Sequence, residues 1–182
     1  MSIGLLVMLL AGWLLWMIPF IRLKRNRQKP ARLDRRARWG IVLEAVAYWL
    51  LWISVLWRQP PALWRIAPAA VFFGLGAWLS WAAVGTLGKQ WRIDAGLNAD
   101  HELVRTGPYR LVRHPIYASM LCTLLGTGTL LTPLPILAIS LVLFLVGTEI
   151  RVRVEDGLLE SRFGDEFRSY RATVSAYVPF VR

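Results

Sequence analysis

Two short polar stretches of this 182-residue chain hold the side chains best suited to chemistry. The first reads His101-Glu102-Leu103-Val104-Arg105-Thr106-Gly107-Pro108-Tyr109 and continues into Arg113-His114-Pro115-Ile116-Tyr117. The second reads Glu149-Ile150-Arg151-Val152-Arg153-Val154-Glu155-Asp156. An arginine fork can grip a carboxylate through two parallel hydrogen bonds. A glutamate can offset a cationic ligand, while histidine and tyrosine can donate or accept as a pocket requires. Each stretch also has a plainer reading. The first could be an interfacial loop anchored by its rings. The second could be a pair of i,i+4 salt bridges, Glu149–Arg153 and Arg151–Glu155, on a helix surface. Residue types alone leave both readings open. Cys122 is the only cysteine and His101 and His114 the only histidines, so a disulfide within the chain is impossible and no metal site is expected.

The surrounding chain must position these stretches, and its composition says how. It is 56% hydrophobic yet carries a formal charge of +11, with mean hydropathy +0.46. A membrane protein combines these values easily, because its apolar residues lie in spans and its charges in loops. Its ten tryptophans suit the membrane–water interface. Five apolar segments stand out: Ile3–Ile21, Gly40–Trp57, Ile66–Leu87, Ile116–Leu131 and Leu134–Thr148. The first three, of 19, 18 and 22 residues, can each cross most of the bilayer's apolar core. The last two, of 16 and 15, are joined by Thr132-Pro133-Leu134-Pro135 and read as a tight helical hairpin.

Loop charge sets the expected orientation. Arg22–Arg38 holds nine basic residues, Arg58–Arg65 two and Lys89–Arg113 five. Heavily basic loops belong on the cytoplasmic side, which puts the N-terminus outside and the C-terminus inside after five crossings. No basic residue precedes the first apolar segment, so it reads as a retained span rather than a cleaved signal. The flanking spans account for the Arg22–Arg38 run without nucleic acid, and the run can also meet anionic headgroups. Small size and arginine bias suggest a bacterial inner membrane. The expected fold is an all-α membrane protein of five transmembrane helices in one domain, 1–182. Residues 1–87 form three spans and 88–182 a catalytic region around the hairpin 116–148. The tail Leu158–Tyr170 places Leu158, Leu159, Phe163, Phe167 and Tyr170 at helical spacing, the pattern of an amphipathic helix that lies on the membrane or packs on the bundle. The hairpin returns both polar stretches to the cytoplasmic face.

Taken in order, Leu87-Gly88-x-x-Trp91, His101-x-Leu103-Val104-x-x-Gly107-x-Tyr109 and Arg113-His114-Pro115-x-Tyr117 resemble the isoprenylcysteine carboxyl methyltransferase family. So does a second block: Arg151, Glu155-Asp156, Leu159, Phe163-Gly164-Asp165-Glu166-Phe167 and Tyr170, closing on Val178-Pro179. The resemblance spans about Leu87 to Arg182. Phospholipid N-methyltransferases share the layout, so it indicates the superfamily better than the substrate. It implies an S-adenosylmethionine-dependent enzyme that releases S-adenosylhomocysteine, with a cytoplasmic-side cofactor pocket and no Rossmann domain. By that resemblance His101, Leu103, Val104, Tyr109, His114, Tyr117 and Glu155 bind the cofactor. Arg151 meets the substrate carboxylate, and Arg151 and Glu155 are the catalytic candidates. Three positions depart from the family's habit: Asp156 replaces a glutamate, Ser119 a glycine and Phe167 a tyrosine. They bear on substrate identity more than on the cofactor.

The expected reaction is methyl transfer to the carboxylate of an isoprenylcysteine-like or other small lipidic substrate. Amine methylation of a phospholipid and methylation of a small thiol are alternatives. The rival of another class is a non-catalytic membrane assembly factor or ligand-binding protein, which would not need the paired motifs. A transporter is disfavoured because Glu44, near the start of the second span, is the only ionisable residue within a span.

Overall fold

The computed structural model describes residues 3–22, 32–53, 62–91, 96–97 and 102–179. Six α-helices carry the fold: α1 (Ile3–Arg22), α2 (Ala37–Ile53), α3 (Ile66–Leu87), α4 (Pro115–Leu131), α5 (Leu134–Phe163) and α6 (Asp165–Thr173). Among the described residues the one sheet element is a two-residue antiparallel ribbon that pairs Arg32 with Leu97 and Leu33 with Gly96. Three helical stretches, Ile3–Arg22, Leu63–Leu87 and Leu134–Phe163, are long and apolar enough to cross a membrane, and Pro115–Leu131 is a shorter apolar helix. Their outward faces are apolar as well: Leu6, Leu10 and Leu14 on α1, Val71 and Trp78 on α3, and Ile139, Val142 and Val146 on α5 are all exposed. Apolar surface on this scale is excluded from water and belongs in lipid, as expected of an integral membrane protein.

The expected segments map closely onto α1, α3 and α4. The second begins earlier than expected, at Ala37, and residues 54–57 of its expected span lie outside the described residues. The fifth differs most. Thr148 does not end it; α5 runs on for another fifteen residues to Phe163, so Glu149–Asp156 lies on the same helix as the apolar segment. Loss of hydropathy is not a stop signal. The real one is Gly164, whose φ of +53° suits only glycine comfortably. That break falls at the glycine that interrupts the amphipathic tail pattern, leaving Leu158, Leu159 and Phe163 on α5 and Phe167 and Tyr170 as the buried residues of α6. The proline-broken hairpin is as expected. α4 ends at Thr132 in extended backbone, and Pro133 precedes the first turn of α5.

Helix α2 packs along α5, α3 along α4 and α1 along α3. Lipid offers little drive for apolar helices to associate, so small residues and interhelical hydrogen bonds decide the contacts. Glycines let α2 and α5 touch: a Cβ on Gly147 would stand 2.7 Å from the Gly40 carbonyl oxygen and 3.0 Å from Leu43 Cβ. Polar ties reach α4 from both sides. Trp13 Nε1 donates to Thr127 Oγ1 (3.1 Å), Trp16 Nε1 to Ser119 Oγ (3.0 Å) and the Tyr48 hydroxyl to the Met120 carbonyl (2.7 Å). Gly147→Val should therefore force α2 and α5 apart at an overpacking cost of about 1–3 kcal/mol. This would read as a lower melting temperature in detergent. Gly85→Val, where a new Cβ meets nothing within 4 Å, should leave packing far less disturbed. Equal losses for both would show that the Gly40–Gly147 contact is unimportant.

Candidate active site

The site is assembled where α4 begins. Gly107 adopts φ +57° to open the turn Gly107–Arg110, and a side chain there would also press on Thr86 Oγ1. Pro115 occupies the first turn of α4, where its missing N–H leaves no helical bond unmade. The backbone just before it is fixed from the C-terminal end of the chain. Arg113 N–H donates to the Ser175 carbonyl and His114 N–H to the Ala176 carbonyl, each at 2.8 Å. The N-terminus of α4 is thereby held against residues 174–176, and His114 and Tyr117 face α5.

Helix α5 supplies the partners. His114 Nε2 bonds Asp156 Oδ1 at 2.8 Å, and its Nδ1 lies 3.4 Å from Glu155 Oε2. Arg113 Nη2 donates to the other Asp156 oxygen at 3.0 Å, and its Nη1 donates to the Val174 carbonyl. The Tyr117 hydroxyl donates to Glu155 Oε1. One turn earlier, the Arg151 guanidinium carbon lies 4.7 Å from the centre of the Tyr117 ring. Arg151 Nη1 donates to Glu44 Oε2 of α2 at 2.8 Å, while Glu44 Oε1 accepts from the Thr148 hydroxyl at 3.0 Å. The two adjacent carboxylates are not equivalent. Asp156 is sealed, its side chain 5% exposed, whereas Glu155 keeps 26%. Both carboxylates are engaged by neighbouring side chains, and Glu155 is the one of the two that keeps part of its side chain exposed.

The structure thus brings together His114, Tyr117, Arg151 and Glu155 of the expected site residues. Leu103 and Val104 are half-buried in the irregular stretch leading to the turn. Tyr109 is buried, and its carbonyl accepts from the Tyr170 hydroxyl at 2.5 Å. Burial, then Tyr170 and Glu155, raises the Tyr109 phenol well above its ordinary pKa, so it stays protonated. His101 lies outside the described residues. Three residues had no site role assigned from sequence: Glu44, Arg113 and Asp156. Glu44 had a usable signal, since a lone acid within an apolar span needs a buried partner. Ser119, one of the three departures, is fully buried and joined to Trp16. Among the described residues no group of three or more histidine, cysteine, aspartate or glutamate side chains is arranged to hold a metal ion.

Burial alone would lower the His114 pKa, but its bonds to Asp156 and Glu155 outweigh that and push it up to about 9. The imidazole is therefore an imidazolium at neutral pH. A folded-state pKa above the unfolded value of about 6.5 gives stability that is complete below that value. That stability is lost as pH rises through 9. Melting temperature should accordingly fall between about pH 6.5 and 9, and His114→Gln should flatten that slope. A wild-type slope that survives the substitution unchanged would assign it to other groups.

Comparison with known proteins places the chain in a family. Residues 64–166, more than half of the chain, match the family pattern described as phospholipid methyltransferase. The protein-S-isoprenylcysteine O-methyltransferase of Schizosaccharomyces pombe is 34% identical over 113 residues, 60% of this chain and 48% of its own length. A probable protein-S-isoprenylcysteine O-methyltransferase of Oryza sativa subsp. japonica is 37% identical over 82 residues, 44% of this chain and 42% of its own. The cobalt-zinc-cadmium resistance protein CzcN of Cupriavidus metallidurans is 29% identical over 144 residues, 69% of this chain and 66% of its own. The match thus spans from about two fifths to two thirds of these relatives. The two polar stretches, 101–117 and 149–156, lie within the matched region. The chain belongs to the phospholipid and isoprenylcysteine methyltransferase family.

Proposed function

We propose that this protein is an S-adenosylmethionine-dependent integral membrane methyltransferase. Its acceptor is the carboxylate of an isoprenylcysteine-like or other lipidic molecule, and S-adenosylhomocysteine is the product. The observation that carries the reading is the juxtaposition, where the start of α4 meets the second half of α5, of a partly exposed carboxylate, Glu155, and a guanidinium, Arg151, with the Tyr117 ring between them. The membrane arrangement that accompanies it has five spans, the N-terminus outside and the cofactor-binding end in the cytoplasm of a bacterial inner membrane. The basic Arg22–Arg38 loop supports that orientation.

The donor set fits a cationic, partly aromatic ligand. Glu155 offers an anion beside the Tyr117 ring, and an aromatic face attracts cations as a carboxylate does. In this role His114, Tyr109 and Tyr117 order the pocket, Leu103 and Val104 wall it and exclude water, and His101 completes it. S-adenosylmethionine, when bound, supplies a methyl group already activated by its sulfonium. The protein's task is then positioning more than bond activation. A carboxylate acceptor is ionised at neutral pH and needs no general base. It needs a cation to orient it, and Arg151 is fixed for that role from both sides by Glu44 and the Tyr117 ring.

Amine methylation remains the second reading, favoured by the description of the matched family. An amine must lose a proton before it attacks, which calls for a base rather than a cation. Labelled methyl transfer to prenylcysteine, fatty-acid, aminophospholipid and thiol acceptors separates the readings, and transfer to the aminophospholipid alone would favour the second. Glu155→Ala should abolish thermal stabilisation by S-adenosylhomocysteine, which at 100 times its dissociation constant adds about 2.7 kcal/mol. Arg151→Lys keeps a charge for Glu44 but loses the planar fork. Transfer should fall about 10- to 100-fold while that stabilisation survives. Loss of both in Arg151→Lys would make Arg151 a structural residue.

A further inference from the structure

Four rings of the N-terminal helices converge in front of α4. Among the described residues α1 and α2 do not pack along one another; α1 lies along α3 and α2 along α5. Aromatic side chains bridge the seam between them. The Trp13 ring of α1 meets Tyr48 of α2 edge-on with centroids 5.4 Å apart, and Trp52 of α2 at 6.0 Å. Trp16 stands edge-on to Trp13 at 5.8 Å. Three of the four rings are pinned to α4. Trp13 Nε1 donates to Thr127 Oγ1, Trp16 Nε1 to Ser119 Oγ and the Tyr48 hydroxyl to the Met120 carbonyl. An indole N–H away from water needs such an acceptor, so these bonds hold the rings across the seam. Ser119 gains a role here, because a glycine at that position would leave the Trp16 N–H without its acceptor. None of the four rings lies within residues 64–166.

The bridge has a defined height above the site. Glu44 and Tyr117, joined through Arg151, mark the level of the site. Both α2 and α4 run away from that level: Tyr48 lies one turn beyond Glu44, Trp52 two turns beyond it, and Met120 about one turn beyond Tyr117. At 1.5 Å per residue the bridge therefore begins ~6 Å above the site and ends ~12 Å above it. An acceptor whose reacting head sits beside Tyr117 and Glu155, and whose apolar chain runs up the face of α4 between α1 and α2, meets pinned rings within two helical turns. We propose that this aromatic bridge is a chain-length stop, with Trp13 its specificity-determining residue, and that the acceptor is a lipid with a short apolar chain. The proposal rests on the lipidic-acceptor reading above and holds for a carboxylate or an amine head. It places the choice of chain in α1 and α2, apart from the polar blocks that carry the chemistry.

The test uses the full chain in detergent with labelled S-adenosylmethionine. The carboxylate probes are the N-acetyl-S-geranyl, S-farnesyl and S-geranylgeranyl cysteines, and the amine probes are hexanoyl and oleoyl lysophosphatidylethanolamine. In the wild type, kcat/KM should be about tenfold higher for the shortest chain of the accepted head group than for the longest. Trp13→Ala should raise kcat/KM for the longest chain about tenfold and leave the shortest within about twofold, with stabilisation by S-adenosylhomocysteine unchanged. Trp13→Phe keeps a ring but loses the bond to Thr127. It should shift the preference the same way by a smaller factor, and it decides the matter if the alanine variant does not fold. Leu14→Ala, on the exposed face of the same helix, should change neither rate. A wild type indifferent to chain length, or variants that change every length alike, would overturn the proposal. So would loss of S-adenosylhomocysteine stabilisation in both Trp13 variants, which would make Trp13 a packing residue. A wild type that methylates no probe of either head group would overturn the lipidic-acceptor reading itself, and that result shows before any variant is made.

Discussion

A charge enters an apolar helix bundle only in company, because an unpaired buried ion costs several kcal/mol even after relaxation. That constraint runs through this molecule as one line of groups. Arg113 meets Asp156, Asp156 meets His114, His114 meets Glu155, Glu155 meets the Tyr117 hydroxyl, the Tyr117 ring meets Arg151, and Arg151 meets Glu44. With His114 protonated, three cations alternate with three anions. Each link joins elements distant in sequence: the approach to α4, then α5, then α2. Removing an interior member leaves a neighbour buried without its counter-charge, so the line fixes the relative placement of these helices as firmly as their apolar packing does.

The line works because α5 is a single unbroken helix. Arg151 and Glu155 are one turn apart and share a face, while Asp156, one residue further round, turns toward Arg113. A helix that ended at Thr148 would leave the polar residues on a loop free to choose other partners. Continuing to Phe163 instead gives Arg151, Glu155 and Asp156 the rigidity of a packed helix. The outer boundary of the site is set by backbone rather than charge, through the bonds of residues 113 and 114 to Ser175 and Ala176. These bring the extreme C-terminal segment back to the start of α4.

Much of this was legible in the sequence, and the failures are instructive. Apolar length and helix-breaking prolines gave the hairpin closely, because Thr132-Pro133-Leu134-Pro135 admits few other conformations. The two polar blocks predicted the meeting of His114 with Glu155. The end of α5 was misplaced because hydropathy reports where lipid stops, not where a helix stops, and only Gly164 carries the backbone signal. Glu44 was visible as a lone acid in a span, but its partner was not. Pairing it with Arg151 depends on the closeness of α2 and α5, which two isolated glycines permit and which no local pattern announces. Nor could spacing separate Glu155 from Asp156. As neighbours of the same charge they look interchangeable, and only the third dimension seals one and leaves the other open.

The line of charges also divides along the family match. Glu155, His114 and Tyr117 lie within the region that matches the family pattern. Arg151 lies there too, but its state is set from outside that region by Glu44. A change on α2 can therefore alter the pairing of Arg151 without touching His114, Tyr117 or Glu155. The Arg151–Glu44 pair depends on how closely α2 sits against α5, so the electrostatics of this part of the motif are a property of helix packing as much as of its side chains.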